Sequence, residues 1–178
     1  MLGSRGGASP EVIIRDATLE DLPTIVAIYN AAIPGRMATA DLDPVSVESR
    51  RAWFQEHSAA RHPLWVAQDD GIVRAWLSFQ PFYGRPAYHA TAEISVYVAP
   101  QWHRMGYGRR LLSQAIAGAP RLGLSTLVGF IFGHNQSSVE LFRGFGFQDW
   151  ARLPKVAELD GIERDLLILG LRLNPSAA

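Results

Sequence analysis

The sequence predicts a mixed α/β domain built around one central β-sheet. Two observations support this prediction. Segments with the two-residue period of a strand alternate with segments of helical period, and no repeat or linker divides the 178 residues. The predicted order is β, α, α, β, β, β, α, β, α, β, β. We assign residues 12–173 to one domain, residues 1–11 to a disordered leader or a cloning remnant, and residues 174–178 to a tail.

The composition excludes several classes of protein. Seventeen Lys and Arg residues balance seventeen Asp and Glu residues, whereas a nucleic-acid-binding domain carries a basic excess. No run of about 18 apolar residues is present to cross a membrane, and the first residues lack the apolar core of a secretory signal. The chain has no cysteine, which rules out disulfides, thiolate metal ligands and a cysteine nucleophile. We therefore expect a cytoplasmic protein that binds neither nucleic acid nor membrane.

Helix signals occur at four places. Asp21 is the predicted N-cap of the first helix, and Asp43 is the predicted N-cap of the second. The third helix is predicted over residues 108–119 from its apolar face. Ser137 and Glu140 have the spacing of a capping box and predict the start of the fourth helix.

Seven segments have the pattern of β-strands. Polar and apolar residues alternate over residues 91–98, as in a half-buried strand, whereas residues 124–132 are apolar almost throughout, as in a strand buried on both faces. The pairs Asp70-Gly71 and Asp160-Gly161 predict hairpin turns. The predicted strands span residues 12–14, 64–67, 72–79, 91–98, 124–132, 150–159 and 162–173.

The turn before the third predicted helix has the character of a phosphate site. Gly106 and Gly108 allow the backbone to approach a ligand closely, and the free N–H groups and dipole of a helix start favour a phosphate or pyrophosphate. Arg104, Arg109 and Arg110 add positive charge. The turn lacks the Gly-Lys-Ser/Thr of a P-loop and the third glycine of a dinucleotide fingerprint. Taken alone, it is equally consistent with an ordinary connection between a strand and a helix.

Further motifs favour the phosphate site over an ordinary connection. V-x-V at 96–98 and x-x-G-x-G at 104–108 are followed by N-Q-S-S at 135–138 and G-F-G-F at 144–147. In this order the motifs resemble the GNAT acetyltransferase superfamily, and the resemblance extends over residues 12–173. It implies a GNAT fold, with about seven strands splayed in the middle and about four flanking helices. It also implies that the turn binds the pyrophosphate of acetyl-CoA and that the pantetheine arm lies in the gap between the splayed strands.

Four further segments resemble the phosphinothricin/methionine sulfoximine acetyltransferase branch of that superfamily. The branch implies acetyl transfer from acetyl-CoA to the primary amine of a small molecule, an amino acid or an analogue. Without a cysteine to carry the acetyl group, direct attack in a ternary complex is the simpler route. The segments are A-I-Y-N at 27–30, R-A-W-F at 51–54, P-F at 81–82 with R-P-A-Y at 85–88, and T-A-E at 91–93 with S-V-Y-V at 95–98.

The resemblance also implies roles for individual residues. Glu93 corresponds to the proposed general base, which takes a proton from the ammonium form of the acceptor; otherwise it is a solvated strand glutamate. The backbone N–H of Val96 or Tyr97 would polarise the thioester carbonyl. Asn135 could equally serve the helix start or the pantetheine. The implied acetyl-CoA-binding residues are Val96, Val98, His103, Arg104, Met105, Gly106, Tyr107, Gly108, Arg109, Asn135 and Ser138.

The acceptor side is less well defined. Arg85 could hold a carboxylate or phosphinate through its planar guanidinium, and it is equally consistent with a surface arginine. The five histidines do not cluster with one another or with carboxylates at ligand spacing, so no metal site is expected. The branch implies a homodimer, to which the five tryptophans could supply apolar surface if they are not all core. The implied substrate-binding residues are Tyr29, Arg36, Phe82, Tyr83 and Arg85.

Two positions depart from the family pattern. His103 occupies a place that usually carries Gln or Arg, so Arg104 would take over its contact. Phe142 occupies the place of a Tyr or His proposed to protonate the leaving thiolate, and a phenyl ring has no proton to give. Either water protonates the thiolate, or Ser138 or Tyr97 assists. Two alternatives remain open, a protein or peptide N-acetyltransferase and a non-catalytic acyl-CoA sensor. The acceptor itself is not predicted.

Overall fold

The computed structural model describes residues 11–173 and has the predicted α/β architecture. One seven-stranded sheet has the order β1-β2-β3-β4-β5-β7-β6. The predicted tail and all but one residue of the predicted leader lie outside the described residues. The strands are β1 Ile13–Asp16, β2 Leu64–Asp69, β3 Ile72–Pro81, β4 Thr91–Val98, β5 Thr126–Phe132, β6 Gln148–Leu159 and β7 Ile162–Arg172. The α-helices are α1 Leu22–Ala32, α2 Arg51–Gln55, α3 Tyr107–Gly118 and α4 Gln136–Gly144.

The sheet divides between β4 and β5, as the resemblance implied. This is the parallel pair of the sheet, and its register extends only from Thr91↔Thr126 to Glu93↔Val128. Beyond that point β4 continues to Val98 in register with β3 alone, while β5 continues beside β7. A wedge-shaped gap therefore opens toward the carboxyl ends of the two strands.

Helices cover both faces of the sheet. Leu111 and Leu112 of α3 are fully buried against Phe79 and Leu127 in the larger core. On the opposite face, Ile25 of α1 packs in a smaller core that includes Trp76. None of the helices within residues 11–173 is both long enough and apolar enough to cross a membrane.

Asp21 stands at the predicted N-cap position of α1, but its side chain makes no capping hydrogen bond there. Its carboxylate accepts two hydrogen bonds from Arg15, at 2.7 and 2.9 Å, and one from the backbone N–H of Thr18 at 2.8 Å. These contacts belong to a one-turn 3₁₀ helix, Leu19–Asp21, that leads directly into α1. The same carboxylate cannot also serve the next helix start.

The second helix begins later than predicted, so Asp43 caps nothing. A 3₁₀ turn at Glu48–Arg50 precedes the short α2. The reason lies in Asn30, whose side chain donates to the carbonyl of Val45 at 2.8 Å and accepts from its N–H at 2.9 Å. Because both backbone groups of Val45 are bound outside a helix, helical hydrogen bonding starts after it.

The fourth helix is present, but its cap differs from the prediction. Asn135, not Ser137, is the N-cap of α4, and its side-chain oxygen accepts from the N–H of Ser138 at 3.2 Å. The predicted capping box of Ser137 and Glu140 is therefore wrong.

Both predicted hairpin turns, Asp70-Gly71 and Asp160-Gly161, are confirmed. Their Asp and Gly residues have the paired positive φ values of a type I′ turn.

Candidate active site

The turn before α3 exposes a row of backbone donors. Gly106 has φ 88° and Arg104 has φ 62°, so the backbone passes twice through the left-handed region. Within residues 11–173 the N–H groups of residues 104–109 have no acceptor, and the first bonded one is that of Arg110, to Gly106 at 3.0 Å. Such a concave row of donors at a helix start binds anions. The turn therefore fits the pyrophosphate of acetyl-CoA.

The side chains of this turn mostly support its shape. His103 Nε2 donates to the Val98 carbonyl at 2.9 Å, which ties the turn to the end of β4. Tyr107 is buried and donates from its hydroxyl to Asp69 at 2.8 Å. The guanidinium of Arg109 lies 5.3 Å from the ring centre of Phe145. Among the implied acetyl-CoA-binding residues, Tyr107 and Arg109 therefore present free backbone N–H groups, whereas the N–H of His103 is bonded to Pro100 and its side chain fixes the turn.

The gap between β4 and β5 contains a cavity of about 360 Å³, here called the cleft. The N–H of Ala99 bonds to Arg74 of β3. By the alternation of an antiparallel pair, Tyr97 also directs its N–H to β3, whereas Val96 directs its N–H to the cleft. Of the two predicted donors for a thioester carbonyl, Val96 is therefore the free one. Val96 and Val98 also pack close to Gly108 at the start of α3.

A short loop crosses the cleft and is held by its backbone. The carbonyls of residues 36, 37 and 38 each accept one side-chain hydrogen bond, and residues 37–40 line the cleft. Asn135 uses both polar atoms of its amide, because its oxygen caps α4 and its nitrogen donates to this loop. The bonds come from His134 to Arg36 at 2.7 Å, from Asn135 to Met37 at 3.0 Å and from the Tyr97 hydroxyl to Ala38 at 3.0 Å.

Glu93 is half-buried where the cleft begins. Within the described part of the chain its carboxylate has neither a hydrogen-bond nor an ion-pair partner. Burial raises the pKa of Glu93, because desolvation disfavours the charged form. A carboxylate in such surroundings is a stronger base than one in water, which suits proton removal from an ammonium group.

A second cavity of about 180 Å³, here called the acceptor cavity, lies on the α1–α2 side of β4. Ser95 and Tyr97 line both the acceptor cavity and the cleft, so the two share a wall. Tyr97 stacks on Trp76 with ring centres 4.6 Å apart and lies 5.2 Å from the ring centre of Tyr29. The residues that line the acceptor cavity are Ile25, Val26, Tyr29, Val45, Arg50, Trp53, Trp76, Ser78, Gln80, Ser95 and Tyr97.

The predicted substrate residues do not come together. Tyr29 lines the acceptor cavity and bonds to Thr39 and Asp41. Arg36 instead forms a two-bond ion pair with Asp160 in the β6–β7 turn, at 2.8 and 3.1 Å. Phe82, Tyr83 and Arg85 lie in the β3–β4 connection and line neither cavity; Phe82 stacks on Phe130 at 6.5 Å, and Tyr83 and Arg85 are exposed.

Arg50 and Asp41 were missed by the sequence analysis. Arg50 lies in the acceptor cavity, and its Nη2 donates to Asp41 at 2.8 Å. One signal was present, because Arg50 precedes Trp53 by three residues and hence shares its helix face. Nothing in the sequence marked that face as a cavity wall rather than core.

Phe142 is buried and lines the cleft. A Cβ on Gly129 would stand 2.6 Å from its ring, so the ring lies directly on the β5 backbone. Ser138 also lines the cleft. Tyr97 is a poor proton donor, because burial raises the pKa of its hydroxyl and that hydroxyl already donates to Ala38.

Within residues 11–173, no three His, Cys, Asp or Glu side chains come together in a way that could hold a metal ion. The arrangement instead comprises an anion-binding turn, a narrow cleft that holds a free backbone donor and a half-buried carboxylate, and a small cavity that shares a wall with the cleft. Its chemistry is the transfer of a group from a phosphate-bearing donor to an acceptor that loses a proton.

Comparison with known proteins agrees with this arrangement. The acetyltransferase (GNAT) family model matches residues 25–147. A Bacillus subtilis protein with the provisional name phosphinothricin acetyltransferase YwnH is 49% identical over 162 residues, which is 90% of this chain and 99% of that protein. The L-methionine sulfoximine/L-methionine sulfone acetyltransferase of Pseudomonas aeruginosa is 36% identical over 167 residues, which is 92% of this chain and 95% of that protein.

A solved structure with acetyl-CoA bound has a similar fold. The crystal structure of a GNAT superfamily phosphinothricin acetyltransferase from Sinorhizobium meliloti, in complex with acetyl-CoA, superposes with a TM-score of 0.87 at 27% identity. The match covers 93% of this chain and 90% of that chain. With the anion-binding turn, the splayed strands and these matches in agreement, the chain belongs to the GNAT family and is an acetyl-CoA-dependent N-acetyltransferase, with acetyl-CoA as its cosubstrate.

Proposed function

We propose that this enzyme acetylates the α-amine of a free amino acid or of an analogue such as phosphinothricin, methionine sulfoximine or methionine sulfone. The observation that carries the proposal is the acceptor cavity, which is small and shares the wall of Ser95 and Tyr97 with the cleft. A cavity of this size suits a single amino acid rather than a peptide chain. The relatives' names add support, since two name these compounds and an Escherichia coli relative at 34% identity is an L-amino acid N-acyltransferase.

In the proposed mechanism, the chain's own groups bind, orient and deprotonate. Acetyl-CoA supplies an acetyl thioester. The N–H groups of residues 104–109 hold its pyrophosphate, and the Val96 N–H donates to the thioester oxygen, where negative charge develops. Glu93 accepts a proton from the acceptor ammonium, directly or through water, and the freed amine attacks the carbonyl carbon. The tetrahedral adduct then loses the second proton of its nitrogen to water as its carbon–sulfur bond breaks. The leaving thiolate takes a proton back from water, and its ordinary pKa of about 8.5 allows it to leave unaided.

We also propose that two copies of residues 12–173, as one domain, form a homodimer. The tryptophans give little support, because Trp76 is buried, Trp53 lines the acceptor cavity and Trp65 packs against the core. Support comes instead from the β6–β7 edge of the sheet, which exposes apolar side chains. These are Trp150, Val156 and Ile162, with 43%, 55% and 52% of their surface exposed.

The requirement for acetyl-CoA, a product of intracellular metabolism, supports our proposal that the enzyme works in the cytoplasm. Its function is tested by measuring thiol release from acetyl-CoA with a panel of acceptors. The panel comprises free amino acids, phosphinothricin, methionine sulfoximine, methionine sulfone, polyamines and short peptides. We expect turnover with amino acids or their analogues and little with peptides. Faster turnover with peptides would support a peptide N-acetyltransferase, and acetyl-CoA binding without any turnover would support a sensor.

A further inference from the structure

We propose that Arg50 binds the carboxylate of the acceptor and thereby selects amino acids over other primary amines. This inference rests on the proposed function and assigns a specificity residue to it. Among the residues of 11–173 that line the acceptor cavity, Arg50 is the one that carries a permanent charge. A cation on an otherwise neutral wall selects an anionic group on the ligand.

The guanidinium of Arg50 is held in a defined position. Its Nη2 donates to Asp41 at 2.8 Å, and its Cζ lies 4.9 Å from the ring centre of Tyr29. Asp41 is itself fixed by the hydroxyl of Tyr29. The side chain therefore loses little conformational freedom when a ligand binds, and an ordered cation binds more tightly than a mobile one.

Two donors of Arg50 remain for a ligand. Within the described residues, neither Nη1 nor Nε has a hydrogen-bond partner, and the side chain is 28% exposed. Asp41 is absent from the lining of the acceptor cavity, so its carboxylate does not occupy the ligand's place. A free N–H of Nη1 or of Nε can donate to a carboxylate oxygen, and such a charge-assisted hydrogen bond is stronger than one between neutral groups.

The position of Arg50 also suits the reaction. Its guanidinium lies against the Tyr29 ring, whose centre is 5.2 Å from that of Tyr97. Tyr97 and Ser95 form the wall shared with the cleft, where acetyl transfer takes place. An α-amino acid carries its amine and carboxylate on one carbon, so it would direct its amine to this wall while its carboxylate contacts Arg50.

The test compares L-methionine sulfone with its α-carboxamide, two acceptors that differ only in the carboxylate. A charge-assisted pair predicts that the wild-type kcat/KM for the acid exceeds that for the amide by about 10- to 100-fold. Arg50→Gln should bring this ratio close to one, mainly through KM, because the carboxylate is bound before and during the reaction alike. Arg50→Lys, which keeps the charge and loses the planar fork, should give an intermediate ratio.

Arg51→Gln is the matched control, because Arg51 is exposed, bonds to Glu48 at 2.7 Å and is absent from the cavity lining. It should keep the wild-type ratio. If Arg50→Gln lowers kcat/KM for both acceptors by the same factor, so that their ratio is unchanged, Arg50 does not bind the carboxylate. If Arg50→Gln fails to fold, a wild-type ratio in Arg50→Lys would overturn the proposal on its own. If the wild-type enzyme acetylates neither compound nor any other amino acid, the proposed function fails instead.

Discussion

Glu93 and Val128 form the last register pair between β4 and β5. The proposed base therefore stands at the apex of the gap, where two strands of one sheet stop sharing hydrogen bonds. On one side it is supported by regular sheet, and on the other it borders the cleft. This location explains how a carboxylate can be half-buried and yet remain open to the cleft.

Replacing Glu93 with Gln should remove the base and keep the shape of the side chain. We expect turnover to fall by about 10²- to 10⁴-fold, while acetyl-CoA binds as tightly as to the wild type in calorimetry. Wild-type turnover should rise with pH through the raised pKa of Glu93, because only the ionised carboxylate accepts a proton. Glu140→Gln, at an exposed position of α4, is the control and should be fully active. Near-normal turnover of Glu93→Gln across pH 6 to 9 would remove Glu93 from the mechanism.

The same residue should also affect stability in a pH-dependent way. Burial raises the pKa of Glu93 in the folded protein, whereas in the unfolded chain it is close to its ordinary value of about 4.3. Below that ordinary value both states are protonated and no penalty arises. As pH rises through the raised pKa, the folded state acquires an unpaired buried charge and loses stability. Glu93→Gln should therefore melt at a higher temperature than the wild type at pH 8 and at the same temperature near pH 4; identical melting at both would show that the carboxylate is well solvated.

Gly106→Pro should weaken acetyl-CoA binding. Proline cannot adopt the φ of 88° found at Gly106 and has no N–H to donate. The loss of one charge-assisted hydrogen bond alone predicts about 10-fold weaker binding. Gly71→Pro is the control, because Gly71 has a similar φ of 75° in the β2–β3 turn. Calorimetry measures both affinities and circular dichroism checks both folds; equal binding by the two variants would place the pyrophosphate elsewhere.

Phe142→Tyr tests whether protonation of the thiolate limits the rate. The ring lies in the cleft against Gly129, so a hydroxyl on it would be near the path of the leaving sulfur. We expect kcat to stay within about twofold of the wild type, because a thiol pKa near 8.5 makes the thiolate an adequate leaving group. A clear rise in kcat at high pH, measured by thiol release, would show that the missing acid limits this enzyme.

Sedimentation velocity at micromolar concentration should give a dimer. Ile162→Asp, in the exposed apolar set at the β6–β7 edge, should shift the protein toward monomer because it places a charge in the proposed interface. Ile13 is 49% exposed at the opposite edge of the sheet, so Ile13→Asp is the matched control. A wild-type monomer would contradict the dimer, and an equal shift by both variants would contradict the location.

The parts of the fold that depend on local geometry were predictable. The turn at Gly106 and the Asp-Gly hairpins require positive φ, which the residue types themselves indicate. Helix starts were less predictable, because a polar side chain caps a helix only where no other hydrogen-bond partner in the fold occupies it. Arg15 takes the carboxylate of Asp21, and Asn30 takes the backbone of Val45. Both partners come from other elements of the fold.

The candidate site shows the same division. The donor turn and Glu93 belong to one continuous segment, so the spacing of their motifs was enough to predict that they lie close together in the fold. The acceptor side is assembled from α1, the segment before α2, β3 and β4, and its members are close only after folding. For this reason the sequence favoured Arg85, which neighbours Glu93 in the chain, over Arg50, which lines the cavity.

The loop over the cleft is anchored through the carbonyls of residues 36–38, and no side chain of residues 37–40 takes part in those three bonds. The side chains of Met37 and Ala40 are therefore free to change in evolution without loosening the loop. Such substitutions would alter the shape of the cleft wall while the frame stays constant. The fit of the cleft to its ligand can then change between related enzymes at little cost in folding stability, and variation at positions 37 and 40 becomes a natural starting point for redesigning that fit.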